Sequence, residues 1–121
     1  MKTILYIALG GALGSVLRYL TSVVIKSITF PYATFITNIL GCLLIGLFFG
    51  YFEKQNILSQ DLKFFLITGF CGGYTTFSTF SLENIQLIQN NQMGTAIIYI
   101  ASSIIIGLLA TWLGMNLVKV I

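Results

Sequence analysis

The stretch GFCGGYTTFSTFS, from Gly69 to Ser81, carries three glycines, six hydroxyl side chains and two phenylalanines three apart, with no charged residue among them. The hydroxyls of Tyr74, Thr75, Thr76, Ser78, Thr79 and Ser81 can each donate one hydrogen bond. Phe77 and Phe80 share a helix face. The edge of a phenyl ring is electropositive. Ring edges beside hydroxyl donors can host a dehydrated anion without the trap that a fixed positive charge would set, and conduction needs binding that is favourable yet easily left. The plainer use of the same two rings is helix packing. Gly72-Gly73 places two residues of poor helix propensity in succession, which predicts a broken helix there. A break frees carbonyls from their intrahelical partners. In lipid such carbonyls need another chain, water or a cation, and carbonyl oxygens suit a small hard cation.

Four further polar residues fall in apolar surroundings. Arg18 follows Gly10 and Gly14 by eight and four residues, so the three share one helix face. It either snorkels to headgroups or sets a fixed positive charge on a water-filled vestibule that attracts anions. Asn38 has Gly41 one turn later; its amide serves either a helix–helix hydrogen bond or a pathway-lining donor. Tyr99 and Ser103 are four apart and stack their hydroxyls on one face. Serines in membrane helices also bond back to their own carbonyls.

These residues must be positioned by membrane-spanning elements. Of 121 residues, 57% are hydrophobic and 7% charged, against about 25% charged for soluble domains. Mean hydropathy is +0.97. The chain reads as an all-α integral membrane protein. The charges divide it: Arg18 alone interrupts Thr3 to Ile25, nothing interrupts Pro31 to Phe52 or Phe64 to Leu82, and Met93 to Val118 is uncharged. A crossing helix needs about 20 residues, so four spans are expected at about 3–25, 31–52, 62–88 and 95–118. EKQNILSQDLK (Glu53–Lys63) is a polar connector, and NNQ (Asn90–Gln92) is a turn signal. The first span lacks a small-x-small cleavage site and carries Arg18, which argues against a signal peptide. The whole chain, 1–121, is one membrane domain.

Scattered single charges summing to +3 imply no nucleic-acid partner. Cys42 and Cys71 read as small buried hydrophobes. The absence of histidine, and of any paired acid or serine–lysine site, argues against an enzyme. Four helices fill their own centre with side chains, so a solute pathway belongs at an interface between subunits. The spacings Gly10–Gly14 and Gly46–Gly50 allow close helix approach, within or between subunits.

The residues GGALGSVLRY (Gly10–Tyr19), TFITNILG (Thr34–Gly41) and above all GFCGGYTTFSTFS resemble the small fluoride channel family known as Fluc or CrcB, and the resemblance covers essentially the whole chain. It implies an antiparallel, dual-topology homodimer with two parallel pores along the interface and a broken third helix. It implies a structural, untransported Na⁺ held by main-chain carbonyls at the positions of Gly72 and Thr75. Phe77 and Phe80 match pore phenylalanines whose ring edges meet fluoride, and Asn38 matches the pore asparagine. Ser78, Thr79, Tyr99 and Ser103 match a polar track beside the rings, and Arg18 matches an arginine of the vestibule or interface. Tyr74 stands where many relatives carry a smaller or aliphatic residue, which bears on packing around the break.

What the resemblance implies is passive export of cytosolic fluoride across the cell membrane, conferring fluoride resistance. Hydrogen fluoride crosses lipid as a neutral acid and dissociates in a near-neutral cytoplasm; a channel lets the ion run out without ATP. The charge bias complicates pairing. With the amino terminus inside, Lys2, Lys54, Lys63 and Lys119 face the cytoplasm against Lys26 outside, a positive-inside pattern, whereas inverted copies need almost no bias. A homodimer is the expectation; a heterodimer with an oppositely oriented homologue is the alternative. Two rival classes are a four-span quaternary-ammonium exporter and a non-transporting assembly subunit. The exporter needs a titratable carboxylate inside the membrane, while Glu53, Asp61 and Glu83 fall at or near expected span ends. The assembly subunit would not explain a hydroxyl-rich helix break.

Overall fold

The computed structural model describes residues 1–56 and 59–121; positions 57 and 58 of the polar connector lie outside the described residues. All described secondary structure is helical, with no strand among the described residues. Three helices are long and apolar enough to cross a membrane: α1 (Lys2–Val24), α2 (Tyr32–Gln55) and α6 (Met93–Val120). They match three of the expected spans to within a few residues. Pro31 sits at the N-cap of α2, where its missing N–H costs nothing. Asn56 ends α2 in the left-handed conformation, and Asn91 adopts it in the turn before α6, as the NNQ signal predicts.

Between α2 and α6 the chain runs through shorter pieces. A first turn, α3 (Gln60–Lys63), is capped by Ser59, whose hydroxyl accepts from the Leu62 N–H. It leads into a π-helical stretch, Phe64–Cys71, and a final turn, α4 (Gly72–Tyr74). Thr75 and Thr76 are extended, and α5 (Phe77–Gln89) follows, capped by the Thr76 side chain on the Thr79 N–H.

The expected break is thus displaced. Gly72 and Gly73 are helical, and the interruption falls on Thr75-Thr76. The glycines do something else: they let backbones touch. A Cβ on Gly73 would lie 2.6 Å from the Gly11 carbonyl oxygen, and one on Gly69 would lie 2.8 Å from that of Ile7. From the other side, a Cβ on Gly14 would meet the carbonyl of Phe70 and the nitrogen of Tyr74. A second glycine seam joins α2 to α6, where Gly46 abuts Thr111 and Gly114, and Gly50 abuts Met115. Both GxxxG spacings therefore pack helices within one chain.

Candidate functional site

Asn38 organises the interruption. Its amide nitrogen donates to the Thr76 carbonyl at 3.1 Å, and its amide oxygen accepts from the Thr76 N–H at 2.8 Å. Both backbone groups that the extended residue withdraws from the helix are satisfied by this one side chain, as a low-dielectric site demands. Of the two uses open to Asn38, packing hydrogen bond or pathway-lining donor, its amide makes a hydrogen bond to a neighbouring segment, namely to the backbone of the extended Thr76.

The interruption leaves the four carbonyls of residues 72–75 without their regular donors, and of these residues Gly72 and Thr75 line the groove beside it. In a continuous helix the Gly72 carbonyl would accept from the Thr76 N–H, and the Thr75 carbonyl from the Thr79 N–H. Here the first donor goes to Asn38 and the second to the Thr76 hydroxyl. Thr75 itself stays tied to α4, because its N–H and hydroxyl both donate to the Cys71 carbonyl, at 3.0 and 2.9 Å.

Gly72 and Thr75 line a groove of about 540 Å³ together with Asn38, Phe77, Phe80 and Ser103. Its remaining lining includes Cys42 and Cys71, both free thiols, the latter buried. The two rings lie 5.8 Å apart at 42°. Phe77 is 78% exposed, whereas Phe80 packs edge-on against Tyr99 at 4.9 Å. The Ser103 hydroxyl is buried and finds no hydrogen-bond partner among the described residues. Ser78 and Thr79 gather around Thr76, with hydroxyl separations of 3.3 and 3.2 Å from its Oγ1.

Arg18 is half-buried and lines a second cavity, of about 300 Å³, with Thr34, Thr37, Thr76 and Thr79. Thr76 borders both cavities. The cationic end of the site is thereby joined to the ring end through the hydroxyl cluster.

Tyr99 and Ser103 share a helix face but not a hydrogen-bond network. Tyr99 is fully buried, and its hydroxyl donates to Glu83 Oε1 at 2.8 Å. Thr34 donates to the other oxygen of the same carboxylate at 3.0 Å. Glu83, expected near a span end, stands in the middle of α5, six residues before that helix ends, and is half-buried. No signal in the sequence places Glu83 or Thr34 at the site. Their spacing carries no local signal, since Thr34 is 49 residues from Glu83. An uncharged run ending at Leu82 simply makes the next carboxylate look like a boundary.

The family profile described as "CrcB-like protein, Camphor Resistance (CrcB)" matches residues 5–115. A protein named fluoride-specific ion channel FluC from Flavobacterium psychrophilum is 69% identical over 98% of each chain. Proteins of the same name from Azobacteroides pseudotrichonymphae and Methylobacillus flagellatus are 47% and 43% identical, over 94% and 98% of this chain and 94% and 96% of theirs. These are channels, not enzymes. On a profile match across nearly the whole chain and on relatives of this identity, the protein is a multi-pass membrane protein that belongs to the CrcB family.

Proposed function

We propose that the protein is a fluoride-selective channel of the cell membrane that lets cytosolic fluoride run out down its electrochemical gradient. The observation that carries this reading is one groove lined by Phe77, Phe80 and Ser103, whose buried hydroxyl has no hydrogen-bond partner among the described residues. An anion there meets ring edges and a hydroxyl whose donor is uncommitted, and no fixed charge that would hold it. Arg18 gathers anions at the neighbouring cavity without entering the ring path. The Tyr99 proton is already shared with Glu83, so an ion passing Tyr99 competes with a carboxylate for it.

The groove opens on one side of a single chain, and a second, inverted copy closes it. In that arrangement residues 60–89 make a fourth crossing interrupted at Thr75-Thr76. The 13 residues of α5 reach only about 20 Å of a core of about 30 Å, so α5 crosses only together with α3, the π-helical stretch and α4. The Gly72 and Thr75 carbonyls fit a small hard cation: both are oxygen ligands, both line the groove, and their regular N–H donors are engaged elsewhere. A Na⁺ there, when bound, supplies charge compensation to those oxygens where two copies meet. A homodimer is the simplest assembly; the excess of lysines on one side favours testing an oppositely oriented partner chain as well.

The test is fluoride efflux. The purified chain is placed in liposomes loaded with potassium fluoride, and an electrode outside reads release after a potassium ionophore is added. Release of fluoride with retention of chloride is expected. Absence of release, both alone and with an oppositely oriented homologue, overturns the reading.

A further inference from the structure

Tyr74 is the last helical residue before the interruption, and its side chain reaches in two directions. The residue is 7% exposed, and its ring stacks on Phe70 at 6.0 Å with an interplanar angle of 7°. The ring edge borders α2, where a Cβ on Gly41 would lie 3.7 Å from Tyr74 Cδ2. The hydroxyl lies 3.1 Å from Thr21 Oγ1 near the end of α1. The direction of that bond follows from Thr21, which donates its own proton to the Leu17 carbonyl at 2.9 Å. Thr21 Oγ1 is therefore the acceptor and Tyr74 the donor.

One ring thus bridges α1 and α2 at the residue where the backbone turns from helical to extended. On the far side of the turn, Asn38 of α2 fixes Thr76. Between these two fixed points stands Thr75, at ψ 157°, and ψ sets where its carbonyl aims. The glycine seam explains why α1 comes close enough to be used: a Cβ on Gly14 would lie 2.8 Å from the Tyr74 nitrogen. Thr21 is seven residues after Gly14, two helical turns along the same face.

We propose that the Tyr74–Thr21 hydrogen bond is a positioning latch that aims the Thr75 carbonyl at its cation, and that Tyr74 and Thr21 thereby tune the affinity for Na⁺; this rests on the reading of a cation site at the interruption. Tyr74 touches neither fluoride nor the cation. Its contribution is to hold the segment before Thr75 while Asn38 holds the segment after it.

The test uses the full chain purified in detergent and dialysed into N-methyl-D-glucamine chloride, with residual sodium counted by atomic emission. Melting temperature is then followed as NaCl replaces the organic salt, which yields the sodium concentration giving half of the stabilisation. Tyr74→Phe keeps the ring and removes the donor; Thr21→Val keeps the shape and removes the acceptor. Loss of one such hydrogen bond is expected to raise the half-stabilising sodium concentration about fivefold in either variant. The double variant should be no worse than either single one, since both remove the same bond. A purely structural contact would lower every melting temperature alike and leave that concentration unmoved. Sodium stabilisation of the wild type with unchanged half-points in both variants overturns the latch and leaves the cation site standing. A wild type that sodium stabilises no better than the organic cation, with bound sodium verified absent at the start, overturns the cation site and the latch together. If Tyr74→Phe does not fold, Thr21→Val alone decides.

Discussion

Asn38 holds Thr76 by both of its backbone groups, and Thr76 in turn caps α5 with its hydroxyl. A single amide on α2 therefore sets where the preceding helix stops and where the next begins. The interruption is a tertiary feature: the two residues are 38 apart in sequence.

Replacing Asn38 by Leu should accordingly damage structure as well as transport. Thr76 would be left with an unpaired N–H and an unpaired carbonyl at a depth without bulk water, and each such group costs about 1–3 kcal/mol. Scanning thermal unfolding in detergent should show a marked fall in melting temperature, and efflux from liposomes should drop below a tenth of the wild-type rate. A variant as stable as the wild type would mean that the amide does not carry the interruption.

Phe80 should prove more sensitive than its exposure suggests. It contacts Tyr99 edge to face and lines the groove with Phe77, so it links the ring pair to the buried hydroxyl network. Phe80→Ile keeps apolar bulk and removes the ring edge. Loss of an edge interaction of about 0.5–1.5 kcal/mol from a passing ion predicts efflux slower by about two- to twelvefold, from a protein that elutes as the same oligomer on size exclusion. Unchanged flux would sink the ring-edge mechanism.

Glycine substitutions separate close approach from chain flexibility. Gly14→Ala would drive a methyl group into the Phe70 carbonyl and the Tyr74 nitrogen, whereas a Cβ on Gly94 meets nothing within 4 Å. Overpacking against backbone costs about 1–3 kcal/mol, so Gly14→Ala should lower the melting temperature and Gly94→Ala should not. Equal behaviour of the two would argue that α1 and the Phe64–Tyr74 segment are not packed backbone to backbone.

The three long helices were legible because, Arg18 apart, charge is confined to their ends, and the turn before α6 because Asn90-Asn91 supplies a residue tolerant of positive φ. The interruption was legible in kind but misplaced by three residues. Local propensity counts Gly72-Gly73 as a breaker, whereas the glycine-rich stretch lies along α1 and Gly73 abuts Gly11. What stops the helix is Asn38 competing for the Thr76 N–H, which no local rule contains. The π-helical widening of Phe64–Cys71 likewise left no trace in periodicity. The setting of Glu83 was hidden for the same reason: its two hydroxyl partners come from α2 and α6, and only the assembled fold makes the cluster.

The last prediction concerns orientation. A pair of inverted copies requires half of the chains to enter the membrane each way, yet four of the five lysines fall on one side of the expected topology. One of those four is partly spoken for, since Lys54 donates to the Val118 carbonyl at 3.0 Å and so serves the C-terminal end of α6. A cysteine introduced at Asn90, in the turn between α5 and α6, reports the side directly once Cys42 and Cys71 are replaced by Ala. In sealed vesicles from cells, a membrane-impermeant maleimide should label about half of the chains from outside and the rest only after permeabilisation, because an inverted pair fixes that proportion at one to one. Labelling of all chains, or of none, before permeabilisation would show a single orientation. The groove at Phe77 and Phe80 would then need a differently oriented partner chain to close it.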